Sequence, residues 1–124
     1  MIDKLRQWIV DNRLNDGMTL QLYRWSESDP VNKREEFIVI QPDGGGVPEL
    51  GLGSDKYALI TIIGSREGHK SAVEKANRLY SFILNNPFDS CLTYIENMSA
   101  MPQPIFTEEE RIVFRMPVRI VSGN

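Results

Sequence analysis

The sequence has almost none of the residues from which common catalytic and metal sites are built. Cys91 is its only cysteine and His69 its only histidine. A lone cysteine excludes an internal disulfide and any cysteine-based structural zinc site, because such a site needs several thiolate or imidazole ligands. A general base normally works beside partner groups, and none stands next to His69 in sequence. We therefore interpret Cys91 as a buried or half-buried thiol and His69 as a solvated residue in the first turn of a helix.

Long apolar runs and an excess of positive charge are also missing. The longest apolar runs, residues 37–40 and 59–63, are far too short to span a bilayer, and the first residues contain no signal-peptide core. The formal net charge of −3 lacks the electrostatic footprint of a general nucleic-acid binder. We therefore predict a cytoplasmic protein with no membrane partner and no sequence-specific nucleic-acid partner.

The composition itself is that of one ordinary globular domain. Hydrophobic residues make up 41% of the chain and charged residues 25%, close to the average for globular proteins. Folding of a chain this long hides roughly two-thirds of the surface that the unfolded chain exposes, which is enough for one hydrophobic core. No internal repeat and no linker divides the sequence. We therefore predict a single domain over residues 1–124.

Apolar periodicity predicts two helices. The first extends over residues 2–15, and the second has its apolar face between Ala72 and Leu84 and ends at Asn85-Asn86-Pro87, because proline cannot continue a helix. Ser71 with Glu74 fits a capping box at the start of the second helix, and Ser65 is an alternative start. Strands are expected at residues 18–25, 37–40, 57–63 and 111–120, with residues 91–97 and 105–106 as further candidates. The predicted fold class is α+β: a mostly antiparallel or mixed sheet of four to five strands with two helices packed on one face.

The last strand is the clearest, because apolar residues from Ile112 to Ile120 alternate strictly with more polar ones. Arg111, Arg115 and Arg119 then point to one face at intervals of about 13 Å. Such a row suits an acidic partner surface or a phosphate backbone, although an outer face balanced by neighbouring acids explains it equally. Pro117 predicts an edge strand, and an unpaired edge is a natural docking site for another subunit.

A glycine-rich stretch separates two of the predicted strands. Residues 41–55 include Gly44, Gly45 and Gly46, a density that predicts a long, mobile loop. Gly46 and Gly51 have the spacing of a P-loop, but the lysine of that motif is replaced by leucine, so we predict no nucleotide site. No nucleophile elbow and no acid–base pair of carboxylates is present either. We therefore predict no catalytic residue, no cofactor and no metal, and interpret the stretch as a contact segment.

Three further features leave alternatives open. The acidic run from Glu108 to Glu110 is either a solvated turn or a site for a basic partner. Trp25 and Phe106 are either anchors of an interface or residues of the core.

The order of these elements resembles the tail-terminator and minor tail (tail completion) proteins of long-tailed bacteriophages and their prophage remnants. The resemblance is carried by the first helix with Leu5 and Trp8, by the buried strand that leads into the glycine-rich stretch, and by the strand at 57–63. It continues through the second helix and the closing segment 104–114. Glu108 to Glu110 stand where Asp or Gly turn residues are more usual.

The resemblance implies a structural subunit without an active site. Such a subunit caps the growing tail tube as a homo-oligomeric, hexameric ring, stops polymerisation and presents a surface to head-completion proteins. It would assemble in the cytoplasm of the bacterial host and end in the virion tail. We predict that the subunit interface includes Gly44, Gly45, Gly46, Arg111, Arg115 and Arg119. The alternatives are another head-tail connector or minor capsid protein, and a small ligand-binding domain or enzyme that uses the glycine-rich stretch and His69.

Overall fold

Two helices and seven strands form within residues 2–28, 31, 33–45, 54–89 and 92–122, which the computed structural model describes. In chain order they are α1 (Ile2–Asp11), β1 (Thr19–Leu22), β2 (Phe37–Gly45), β3 (Ser54–Ile63), α2 (His69–Asn85), β4 (Phe88–Asp89), β5 (Thr93–Asn97), β6 (Ile105–Phe106) and β7 (Ile112–Ser122).

The strands form one mixed sheet in the order β1-β2-β3-β7-β5-β4, and β6 pairs with the start of β7. β1 pairs with β2 in parallel, and every other described pair is antiparallel. The predicted α+β class is therefore confirmed. The sheet has more strands than the four to five predicted, because both candidate segments, 91–97 and 105–106, contribute strands (β5 and β6), and the two-residue β4 is too short to show a periodic pattern.

Both helices pack on one face of this sheet, as predicted. Apolar residues at helical spacing on α1 and α2 meet the alternate residues of the central strands, and each such side chain stabilises the fold by about 1.5–3 kcal/mol when fully buried. This core includes Leu5, Trp8, Ile9, Ile38, Ile60, Ile62, Leu79, Ile83 and Phe114.

The opposite face of the sheet is partly covered by the chain segment between β1 and β2, which we call the β1–β2 connection (residues 23–36). Its Trp25 ring packs edge-on against Phe37, with the ring centroids 5.7 Å apart. Phe37, Val39 and Ile63 form a second buried cluster beneath it. This cover explains why residues 37–40 are apolar on both faces, as expected for a strand buried on both sides.

The helix boundaries differ from the prediction in two places. α1 ends at Asp11 rather than near residue 15, and the chain then passes through turns with positive φ at Arg13, Asp16 and Gly17. α2 begins at His69 with Gly68 as its N-cap, so the capping box predicted at Ser71 is wrong. Its end at Asn85, followed by the proline, is confirmed.

β7 is a central strand, so the predicted edge position is wrong. It pairs along its whole length with β3 and, on its other side, with β5 and β6. The Pro117 carbonyl accepts a hydrogen bond from the Met98 N–H just beyond the end of β5. Because N and C=O of one strand residue point to the same side, the Pro117 nitrogen points away from β3 and lies just outside residues 118–121, which pair with β5. The proline therefore removes no hydrogen bond from the long ladder between β3 and β7.

The glycine-rich stretch is shorter than the loop predicted over residues 41–55. β2 continues through Gly44 and Gly45 with an irregular register after Pro42, and β3 already begins at Ser54. Glycine is tolerated in strands at such bulges because it has no side chain to pack. Gly46 and the rest of the connection to residue 53 lie outside the described residues.

An ion pair attaches the β1–β2 connection to α2. Lys75 Nζ lies 2.5 Å from Glu36 Oε1, and only 18% and 15% of the two side chains are exposed. We expect Lys75→Met to lower the free energy of unfolding by about 1–2 kcal/mol, because the Glu36 carboxylate then loses its charged partner in a half-buried site. Lys70→Met, at an exposed position of the same helix, should change it by less than about 0.5 kcal/mol. Equal urea midpoints for the two variants would contradict this assignment.

Candidate assembly surface

One face of the sheet lies opposite the helices, and the β1–β2 connection covers only part of it. We call the uncovered part the open face. The register pairs Thr61 with Arg115 and Tyr57 with Arg119 across β3 and β7, so these side chains share that face. All four are exposed or half-exposed. The open face therefore presents polar and aromatic groups over a rigid pair of long strands.

Arg115 is the available cation of the open face. Its side chain is exposed, and within the described part of the chain it makes no hydrogen bond or ion pair. β5 pairs with residues 118–121 of β7 and β6 with residues 112–113, so Arg115 lies in the interval between them. An exposed guanidinium on a rigid strand can bind a carboxylate or phosphate in two-pronged geometry.

Arg119, by contrast, already has an acidic partner. Its Nε donates to Glu96 Oε1 at 2.5 Å, and its guanidinium lies 5.9 Å from the centroid of the Tyr94 ring. The Tyr94 hydroxyl donates to Glu96 Oε2 at 2.8 Å. This hydrogen bond raises the pKa of Tyr94, because the phenol must keep its proton to donate it. The alternative that neighbouring acids balance the arginine row is thus correct for Arg119.

Arg111 does not belong to the surface at all, which corrects its predicted place in an exposed row. Its relative exposure is 0%. Nη2 and Nε donate to the two carboxylate oxygens of Glu27 at 3.0 and 3.1 Å, and Nη1 donates to the carbonyl oxygens of Glu35 and Gly64 at 2.9 and 3.0 Å. Such a bidentate pair with two further carbonyl acceptors satisfies a buried guanidinium. Arg111 therefore holds the β1–β2 connection on the sheet.

Aromatic rings complete the Arg111 site. The guanidinium carbon lies 5.7 Å from the Trp25 ring centroid and 5.4 Å from the Phe37 ring centroid, within the range of cation–π attraction. Trp25 is thus half-buried and contributes to the packing of the fold, rather than serving as an exposed anchor of an interface. The sequence contains little signal for this site, because Glu27 and Arg111 are 84 residues apart.

His69 lies at the start of α2, as predicted, but it is not free in solvent. Its Nε2 is 2.8 Å from the Glu110 carbonyl oxygen, to which it donates, and its ring centroid is 5.4 Å from that of Phe106. Phe106 remains 59% exposed. His69 therefore joins α2 to the turn between β6 and β7.

No three His, Cys, Asp or Glu side chains in the described ranges are placed to hold a metal ion, and Cys91 lies outside those ranges.

The acidic run forms the turn that connects β6 to β7. Glu108, Glu109 and Glu110 are all exposed, and Glu109 pairs with the buried Lys33 at 3.3 Å. The acidic run is therefore a solvated turn, as one of the two interpretations predicts, and the Glu109 carboxylate also helps to hold the β1–β2 connection.

Neither helix in the described residues has the length and the apolar character that a membrane-spanning helix requires.

Comparison with known proteins identifies the family of this chain. One solved structure superposes with a TM-score of 0.59, covering 98% of this chain and 96% of its own, at 10% sequence identity, which shows the fold alone. No curated protein matches the sequence. A family model described as phage tail termination protein matches residues 1–124, the whole chain. The resemblance drawn from the sequence is therefore confirmed, and this chain belongs to the phage tail terminator family.

Proposed function

We propose that copies of this protein form a hexameric ring on the end of a phage tail tube, stop its polymerisation and present the surface to which head-completion proteins attach. The family match over the full length carries this proposal. Assembly takes place in the cytoplasm of the bacterial host, from a phage or prophage gene, and the ring remains in the virion tail. Its work is binding between protein surfaces, with no catalytic step.

The open face supports this function through its chemistry. A long two-stranded platform of β3 and β7 holds Arg115 without an intramolecular partner among the described residues, while the neighbouring Arg119 is paired with Glu96. Surfaces arranged in this way gain association rate and specificity from a partner of opposite charge. The face is rigid because both strands are hydrogen-bonded along their length, so little entropy is lost when a partner docks.

The enzyme alternative finds little support in the positions of its residues. β3 has ten residues, with the glycine-rich connection before its first residue and α2 following its last. At about 3.3 Å per residue, the two ends of β3, Ser54 after the connection and Ile63 before α2, are about 30 Å apart. His69 Nε2 also donates to a backbone carbonyl, so this ring nitrogen is already used in a structural hydrogen bond.

The direct test is assembly on tail tubes. The purified protein is added to polymerising tube protein, and electron microscopy records tube lengths and tube ends. We expect tubes to stop growing and to have a ring-shaped density at one end. If neither rings nor tube-end binding occurs at any protein concentration, the proposal is wrong.

Arg115 provides a point test of the same function. We expect Arg115→Glu to weaken tube-end or ring binding about tenfold or more, because it replaces attraction with repulsion at the centre of the open face. Arg6→Glu makes the same charge change at an exposed position of α1, on the helix side, and should leave binding unchanged. Circular dichroism should show both variants folded. Equal binding by the two variants would remove the open face from the interface.

A further inference from the structure

A cleft lies at the β4–β5 edge of the sheet, between the last turns of α2 and the side of β5. It has a volume of about 260 Å³, and its walls include Ile83, Leu84, Pro87 and Asn97. This is smaller than the pockets of about 300–1,000 Å³ that hold drug-sized ligands. A single aromatic side chain suits it better than a cofactor does.

The Asn97 amide at one wall of the cleft is enclosed by the protein. Its Nδ2 donates to the Tyr80 carbonyl oxygen at 3.2 Å, and its Oδ1 has almost no accessible surface. A group that enters the cleft therefore meets mainly the apolar side chains of its walls. The cleft fits a flat, largely apolar side chain such as an aromatic ring.

A side chain of that kind is exposed at the opposite edge of the same sheet. Tyr23 follows β1, is 58% exposed and has a φ of +69°. The Arg24 N–H donates to the Leu22 carbonyl at 2.8 Å, which closes a tight three-residue turn around Tyr23. The Gln21 amide holds this turn, because it donates to the Ser26 carbonyl at 3.0 Å and accepts from the Ser26 N–H at 2.8 Å. Backbone strain at a bulky residue persists where the surroundings enforce it, which is common at binding sites.

Tyr23 and the cleft lie at nearly the same height along the strands. The register places Leu22 level with Met116, only two residues before Val118, which pairs with Asn97. A contact between opposite edges at one height joins successive copies with little displacement along the strands. Contacts of this head-to-tail type form closed rings when the rotation between copies closes.

The charges at the two edges are also complementary. α2 has no basic residue in its last turn, so the partial negative charge of its final carbonyl groups is not countered within the helix. Arg24 is exposed directly beside Tyr23. An incoming Tyr23 would therefore bring a cation toward the end of α2.

We propose that Tyr23 of one copy inserts its ring into the cleft of the next copy and places Arg24 near the carbonyl end of α2. This contact rests on the proposed ring and defines how neighbouring subunits join within it.

Two variants with complementary defects test the contact. Tyr23→Ala removes the inserted side chain and keeps the cleft, whereas Leu84→Arg obstructs the cleft at an exposed wall and keeps Tyr23. We expect each variant alone to self-associate about tenfold or more weakly than the unmodified protein in sedimentation velocity experiments. An equimolar mixture should recover dimers and nothing larger, because one productive contact per pair remains. Phe106→Ala, at a similarly exposed aromatic residue, should associate normally.

Disulfide trapping covers the case in which association requires the tail tube. A chain with Tyr23→Cys and Leu84→Cys, in a Cys91→Ala background, should give a ladder of covalent oligomers at tube ends. Chains with only one of the two introduced cysteines should give no ladder. Rings that form normally from Tyr23→Ala, or a doubly substituted chain that gives no ladder at tube ends, would overturn this contact and leave the proposed function intact. Absence of rings and of tube-end binding by the unmodified protein would overturn both.

Discussion

Arg111→Met is expected to lower the free energy of unfolding by about 3 kcal/mol, the lower end of the range for breaking a buried ion pair. The substitution removes the Arg111 donors from the Glu27 carboxylate and from the carbonyl oxygens of Glu35 and Gly64. The Glu27 side chain is 20% exposed, so water offsets part of the penalty. The β1–β2 connection should loosen from the sheet as a result.

Arg115→Met is the matched control for this experiment. It makes the same substitution on the same side of β7, at an exposed residue without a described partner, and should change stability by less than about 0.5 kcal/mol. Arg111→Lys should fall between the two, because an ammonium group keeps the charge but cannot make the same fork of hydrogen bonds. Urea unfolding followed by circular dichroism measures all three variants. Similar midpoints for Arg111→Met and Arg115→Met would show that the buried site does not stabilise the fold.

Gly64→Ala is expected to cost about 2 kcal/mol, in the range measured for overpacked cores. Gly64 lies between the end of β3, the start of β7 and α2. A Cβ atom there would lie 2.5 Å from Ala72 Cβ and 2.6 Å from Ile112 Cγ2, closer than real contacts allow. The backbone must therefore shift where the Gly64 carbonyl also accepts from Arg111.

Two comparisons separate crowding from backbone conformation at this glycine. A Cβ atom at Gly17 would make only an ordinary contact, with Lys75 Nζ at 3.9 Å, but the residue has a φ of +81°, so Gly17→Ala should cost about 1–2 kcal/mol through backbone strain alone. Combining Gly64→Ala with Ala72→Gly removes the closest clash. The double variant should then be less destabilised than the sum of its single variants in thermal and urea unfolding. Strict additivity would contradict the proposed clash.

Much of the fold was predictable from local patterns. The apolar stripe of α2 and its proline stop, the doubly buried residues 37–40 and the alternation in β7 each depend on side chains near in sequence. β4 was not predictable, because a two-residue strand forms only where a longer strand offers free backbone groups. The capping box at Ser71 failed for a similar reason, since Ser71 Oγ instead contacts Glu36 from the β1–β2 connection at 3.4 Å.

The arginine row shows the limit of sequence patterns most clearly. Arg111, Arg115 and Arg119 occupy equivalent positions in the alternation of β7, yet one is buried, one is without a described partner and one is paired. Their partners, Glu27 and Glu96, are 84 and 23 residues away in the chain. No local spacing reports such distances.

By itself the sequence determined the α+β class, the faces that its strands bury, the end of α2 and the resemblance to tail terminators. All of these follow from side-chain periodicity, from proline, and from the order of elements along the chain. The tertiary structure alone decided that β7 is central, that Arg111 is internal and that Arg115 is available on the open face. The physical reason is that alternation specifies which face of a strand is buried, whereas strand order and ion pairing depend on backbone and charged groups brought together from distant parts of the chain.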